Sequence, residues 1–179
     1  HASYTVLTLG YYEDQKHFRV AFIKKYTGAQ SDPHFVIQDI VRICMQLNVH
    51  LLGVDWGFGF GLNNELVRQL SFKRVVQFQY LPKMKERAKY DPIGAKYLLQ
   101  RNLIISELFY ELKHGHIRFP AWKQFETYAQ DFLGIYCEYI DYQRQIKYDH
   151  RPSDPDDAFH SLLYCWQAAS IFHGKRWQT

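Results

Sequence analysis

The chain opens with apolar runs rich in β-branched and aromatic residues, broken by a polar turn, and helical spacing takes over further along. Tyr4 to Tyr12 (YTVLTLGYY) is rich in β-branched and aromatic residues and predicts a strand. Glu13-Asp14-Gln15-Lys16 predicts a polar turn, and His17 to Tyr26 (HFRVAFIKKY) a returning strand, so the first 26 residues predict a β-hairpin. Ser31-Asp32-Pro33 announces a helix, with a capping side chain and a proline in its first turn. Its apolar positions Val36, Ile37, Ile40, Val41, Cys44 and Leu47 keep the helical period. Val49 to Val54 is a short apolar run ending at Asp55 and predicts a buried strand. Gly57, Gly59 and Gly61 predict a loop, and Asn63 the start of a helix carrying Leu66, Val67 and Leu70. Arg74 to Leu81 predicts another buried strand. A basic connection after Pro82 leads to a long helix over Leu98 to Lys113, which Gly115 stops. Ile135 to Ile140 predicts an edge strand. Asp154-Pro155-Asp156-Asp157 opens a last helix whose stripe is Phe159, Leu162, Leu163, Trp166 and Ala169. This order predicts an α/β fold with a mixed sheet, in one domain over residues 1–179.

Composition narrows the picture. With 179 residues, 47% apolar and 17% aromatic, the chain has ample material for a core, which excludes a disordered class. No apolar run approaches the roughly 20 residues that span a bilayer, and no signal-peptide pattern is visible. Cys44, Cys137 and Cys165 are widely spaced in apolar surroundings. They read as buried thiols of a reducing compartment, without paired zinc-ligand spacing. A net charge of +4 permits a polyanionic partner without requiring one.

Two acidic positions carry candidate chemistry. Asp55 stands at the carboxyl end of a buried strand before a glycine-rich loop, where open α/β sheets place ligands. An Asp that bonds its own loop backbone is the equally good alternative. The glycines do not keep the G-x-G-x-x-G spacing, and the next strand ends without a ribose-binding acid, which sets a dinucleotide site aside. In the second cluster, Asp154 suits an N-cap and Pro155 the first helical position, while acids in the first turn favour the helix dipole. One cap needs one Asp, however, and three carboxylates in four residues also suit a hard divalent cation. His150 and His160 flank the cluster and read as solvent-exposed. Lys83, Lys85, Arg87 and Lys89 form one basic loop, and Lys113, His114, His116, Arg118 and Lys123 another; beside the carboxylates these would meet phosphates. No G-x-S-x-G motif, no Cys with an evident His partner and no G-x-x-x-x-G-K-[ST] loop occurs, which argues against covalent catalysis and against an ATPase within the chain.

Taken in order, these elements resemble the nuclease domain of phage terminase large subunits, over nearly the whole chain. Ser3-Tyr4-Thr5-Val6 resembles the start of that family's second strand. Leu52-Gly53-Val54-Asp55 with its glycine loop and Asn63 resembles the fourth strand. Arg101 to Pro120 is similar to the helix and short strand that follow, and His150 through Tyr164, with DPDDAFHSLLY at its heart, is the most diagnostic piece. The resemblance implies an RNase H-like sheet and two Mg²⁺ or Mn²⁺ ions that cleave double-stranded DNA during genome packaging. It implies Asp55 as the second acid and Asp157 as the last, both catalytic and metal-binding, with Asp156 or Asp154 in support. DNA contacts would come from Lys83, Lys85, Arg87, Lys89 and Arg118. The family's first strand and its catalytic Asp are not found here and are expected upstream of His1, together with an ATPase motor. Portal and small terminase subunits are the implied partners, and the host bacterial cytoplasm the implied place. The rival readings are a non-catalytic DNA-binding or docking module and another RNase H-like nuclease such as a junction resolvase.

Overall fold

The computed structural model describes residues 4–57, 60–140 and 145–174. The expected opening hairpin forms from β1 (Thr5–Tyr12) and β2 (Phe18–Tyr26), its turn closed by Glu13 N–H donating to the His17 carbonyl at 2.9 Å. After a 3-10 turn at Gly28–Ser31, α1 (Pro33–Gln46) begins as its sequence signals: Asp32 accepts from the Phe35 amide at 3.0 Å and Pro33 occupies the first turn. β3 (Leu52–Asp55) is shorter than the apolar run suggests and ends on Asp55. α2 (Phe60–Leu70) starts ahead of Asn63 and takes Gly61 into the helix, while Gly59 lies outside the described residues. Asn63 has a different task, its Nδ2 donating to the Asp55 carbonyl at 2.8 Å.

β4 (Val75–Leu81) matches its apolar run. The long helix expected from Leu98 does not begin there. β5 (Ala88–Asp91) and β6 (Lys96–Gln100) form a hairpin first, and α3 (Arg101–Lys113) follows. The Asp-Pro-Ile-Gly segment between the strands folds as a turn, with the Ile93 amide donating to Asp91 Oδ1 at 3.1 Å, which makes Ala88–Gln100 two strands and not a helical lead-in. Gly115, at φ 70°, ends α3 as expected, and the His116 and Gly115 amides return to the Glu111 and Leu112 carbonyls. Beyond β7 (Ile117–Arg118), α4 (Trp122–Phe125) and α5 (Ala129–Leu133), the expected edge strand β8 (Ile135–Ile140) pairs antiparallel with β9 (Gln145–His150). α6 (Asp157–Phe172) closes the described chain.

The fold is α/β with mixed sheets. One has the order β1-β2-β7, with β2 and β7 parallel. A second has the order β3-β4-β6-β5, in which β3, β4 and β6 are parallel and β5 is antiparallel. The third is the β8-β9 pair. The chain groups into two compact units, residues 1–25 with 101–163 and residues 26–100 with 164–179. The first buries Leu7, Phe18, Val20, Ile104, Leu108, Ile117, Phe159 and Leu162; the second buries Val36, Ile40, Leu66, Val76, Phe78, Leu99 and Trp166. Among the described residues no helix is long and apolar enough to cross a membrane.

Candidate functional site

In the second unit the parallel strands set Asp55 at the end of β3, in register with Phe78 of β4. Its side chain is half-buried. Oδ1 accepts from the Gly57 amide at 3.3 Å and from the Tyr164 hydroxyl at 3.4 Å. Oδ2 accepts no hydrogen bond among the described residues, so one oxygen is oriented and the other stays open. The local bond to Gly57 is the loop-capping role that the sequence offered as the alternative; the bond from Tyr164 is not local and adds a fixed orientation. Tyr164 is itself clamped between rings, stacked on Phe78 at 5.6 Å and tilted against Tyr80 at 5.5 Å. Burial, then the charges of Tyr80 and Asp55, push its hydroxyl well above the usual tyrosine range, so it stays a proton donor. Gly53 admits this packing: a Cβ there would lie 2.6 Å from the Tyr164 carbonyl oxygen.

The acidic run belongs to the first unit, where its parts separate by role. The helix begins at Asp157, not at Pro155, and the His160 amide donates to the Asp156 carbonyl at 3.1 Å. Asp154 does not cap it. The Ala158 amide donates instead to Asp131 Oδ2 at 2.7 Å, from a residue 27 positions earlier. Asp131 is 1% exposed and also accepts the Tyr4 hydroxyl, at 2.7 and 2.9 Å from its two oxygens. Tyr4 serves both acids, since its amide donates to Asp157 Oδ2 at 3.3 Å. Burial and the hydrogen bond to Asp131 raise the Tyr4 phenol far above its ordinary range. Lys25 Nζ lies 3.2 Å from the centre of the Tyr4 ring.

Asp156 has another environment. Its Oδ2 lies 3.0 Å from His160 Nε2 and 3.3 Å from His150 Nε2. Burial opposes its ionised form, but the hydrogen bond with His160 and the charges of His160, His150 and Arg101 outweigh that and hold its carboxyl below the ordinary 3.8. The two histidines are therefore half-buried partners of Asp156, not the solvent-exposed side chains the sequence suggested. His150 Nδ1 faces the Arg151 and Asp154 carbonyls at 3.0 Å, so it donates to them. Asp154 Oδ1 accepts from the Ser153 hydroxyl at 3.1 Å.

The basic residues divide similarly. Lys83, Lys85 and Lys89 are exposed, and none of their side chains has a hydrogen-bond or ion-pair partner among the described residues. Arg87 turns inward and donates to Gln167 Oε1 at 3.3 Å. Arg118 donates to Glu13 at 2.9 Å, beside the Arg19–Glu13 pair, so its charge is already partnered. His116 is held by Glu111 at 2.8 Å. Of the cysteines, only Cys44 is fully buried; Cys137, in β8 where Tyr136 to Tyr139 are all exposed, is exposed, and Cys165, in α6, is intermediate.

Carboxylate oxygens at Asp55 and Asp157 have the donor chemistry of a hard divalent cation, and the open Oδ2 of Asp55 fits such a ligand. Asp156 fits less well, because its Oδ2 is taken by two imidazoles. Among the described residues no group of three or more His, Cys, Asp or Glu side chains is gathered for a metal ion. Sequence reading missed Asp131, Tyr4 and Tyr164. Tyr164 carried a usable signal, one helical heptad after Asp157 and polar-tipped on an otherwise apolar stripe; a lone Asp in a short segment gives none. No family model matches this chain, and neither a curated protein nor a solved structure matches it significantly.

Proposed function

We propose that the chain is a metal-dependent endonuclease domain of the RNase H-like class, cleaving double-stranded DNA during viral genome packaging as phage terminase large subunits do. The observation that carries this reading is Asp55 at the carboxyl end of a parallel strand, with one oxygen oriented by Gly57 and Tyr164 and the other open. The second support is the placement of Asp157 as the first residue of α6, tied to the Tyr4 amide. In the proposal Asp55 and Asp157 each serve as a ligand of Mg²⁺ or Mn²⁺. Bound divalent ions supply an activated water and charge neutralisation at the leaving 3′ oxygen. The protein's own part is orientation. Tyr164 and the Gly57 amide fix the Asp55 carboxylate, while Asp131 and Tyr4 fix the helix start that carries Asp157. Lys83, Lys85 and Lys89 are free to take backbone phosphates without reading sequence.

Calorimetric titration with Mn²⁺ tests the assignment apart from catalysis. The wild-type chain is expected to bind, and Asp55→Ala and Asp157→Ala each to lose most of that binding while keeping the wild-type circular dichroism. Equal Mn²⁺ binding by all three proteins would remove both acids from the metal site and leave the DNA-binding module as the better reading.

A further inference from the structure

We propose that His17 and His116 form a chelate for a transition-metal ion of the Zn²⁺ class, separate from the acidic positions and independent of the nuclease reading. Both residues belong to the first unit. β2 and β7 run parallel with Phe18 opposite Ile117, and the Phe18 amide donates to the His116 carbonyl at 2.8 Å. Phe18 and Ile117 turn inward, at 1% and 5% exposed, so the residue just before each turns to the outer face. The two imidazoles meet there edge to face, with ring centres 6.1 Å apart.

What marks the pair is the state of the ring nitrogens. His17 Nδ1 lies 2.8 Å from Asp14 Oδ2, and His116 Nδ1 lies 2.8 Å from Glu111 Oε2. An ionised carboxylate only accepts, so each Nδ1 carries the proton. Asp14 is firmly ionised: the ring of His17, then the His17 and Lys16 amides, hold its carboxyl far below the usual carboxylate range. With Nδ1–H engaged by a carboxylate, the neutral ring presents a lone pair at Nε2. In neither residue does Nε2 have a hydrogen-bond partner among the described residues. An imidazole oriented by a carboxylate through one nitrogen and open at the other is the form in which histidine ligates metals.

The spacing suits one ion. At Zn–N bonds of about 2.0–2.1 Å, two imidazoles on one ion have ring centres at most about 6.5 Å apart, and about 5 Å apart at the tetrahedral angle. The observed spacing lies inside that limit, and the rings reach tetrahedral geometry by closing about 1 Å. His114 also has its Nδ1 engaged, by the Tyr110 carbonyl at 2.7 Å, but among the histidines its ring meets only His116, at 5.8 Å. The chelate is therefore a pair, with water completing the coordination. Arg19 and Arg118, the next outward positions on the same strands, are both bound by Glu13, so their charge is partly neutralised. Imidazole nitrogens favour Zn²⁺, Ni²⁺ or Cu²⁺, whereas Mg²⁺ and Mn²⁺ prefer oxygen.

Calorimetric titration of the full chain with Zn²⁺, in millimolar Mg²⁺ to fill oxygen sites, tests the assignment. Wild type is expected to bind Zn²⁺. His17→Ala, in a surface turn, and His116→Gln, which keeps a donor for Glu111, are each expected to lose most of that binding with unchanged circular dichroism. Asp14→Asn keeps an oxygen for the two turn amides but sets an amide N–H against His17 Nδ1, which favours the tautomer with its proton on Nε2. It is expected to bind about tenfold more weakly. Asp55→Ala and His160→Ala are expected to bind as wild type does. Wild-type affinity in His17→Ala, or no Zn²⁺ binding by the wild-type chain, would overturn the proposal. So would binding kept in His17→Ala and lost in His160→Ala, which would put the ion beside Asp156.

Discussion

Replacing Asp131 by alanine probes how the start of α6 is held. The side chain is 1% exposed and serves two donors, the Tyr4 hydroxyl and the Ala158 amide. The hydroxyl has one proton, so its distances to both oxygens count as one bond. Loss of a helix cap costs about 1 kcal/mol. A buried donor left without an acceptor costs about 1–3 kcal/mol. The Ala158 amide is capped donor and orphan at once and is counted once, so the total is about 2–4 kcal/mol. That is a large share of the roughly 5–15 kcal/mol by which a domain is stable. Asp131→Asn keeps one acceptor oxygen for Ala158 and is expected to cost about 1 kcal/mol, within the range for a single hydrogen bond. Urea unfolding followed by far-ultraviolet circular dichroism and by tryptophan emission measures both, with unchanged slopes licensing the comparison. Asp131→Ala within about 0.5 kcal/mol of wild type, the usual scatter of surface substitutions, would refute the capping argument.

Other consequences are as direct. Gly53→Ala places a Cβ 2.6 Å from the Tyr164 carbonyl oxygen and 2.9 Å from the Phe78 ring, neither of which is a flexible side-chain end. It is expected to destabilise by about 1–3 kcal/mol in the same unfolding assay. Asp156 has its carboxyl held below 3.8, so the stability it contributes is complete above that value and is lost as pH falls through the folded-state value. Asp156→Asn should therefore show a flatter decline of stability on acidification below 3.8 than wild type. Thiol labelling of the native protein should modify Cys137 first. Cys44, 2% exposed with its thiol pushed up to about 11 by burial, should react only on unfolding.

The sequence made some of this architecture legible and hid other parts for physical reasons. Helices α1 and α6 announce themselves because one face repeats with the helical period, as Val36, Ile37, Ile40 and Cys44 do in α1, and strands β1 to β4 through runs of β-branched, aromatic and other apolar residues. The β5–β6 hairpin was hidden because Lys96 to Gln100 runs straight into α3, and the apolar positions of both read as one helix. β9 was hidden because its polar, charged sequence lacks a buried face. The acids at Asp55 and Asp157 were visible from strand-end and helix-start signals. Their supports were not: Asp131 reaches Ala158 across 27 residues and Tyr164 reaches Asp55 across 109, and no local pattern encodes contacts that only folding creates. Charge runs misled in the opposite sense. Arg87 and Arg118 look like free cations in sequence, yet each is engaged within the protein.

The central claim is that Asp55 and Asp157 support metal-dependent cleavage of duplex DNA. Conversion of supercoiled plasmid to nicked and linear forms, followed on a gel with millimolar Mn²⁺ and again with EDTA, tests it most directly. The account predicts cleavage by the wild-type chain in Mn²⁺ alone, with at least a hundredfold loss in Asp55→Ala and in Asp157→Ala. Cleavage of equal rate by either variant, or a wild-type chain that leaves the plasmid intact in Mn²⁺, would contradict it.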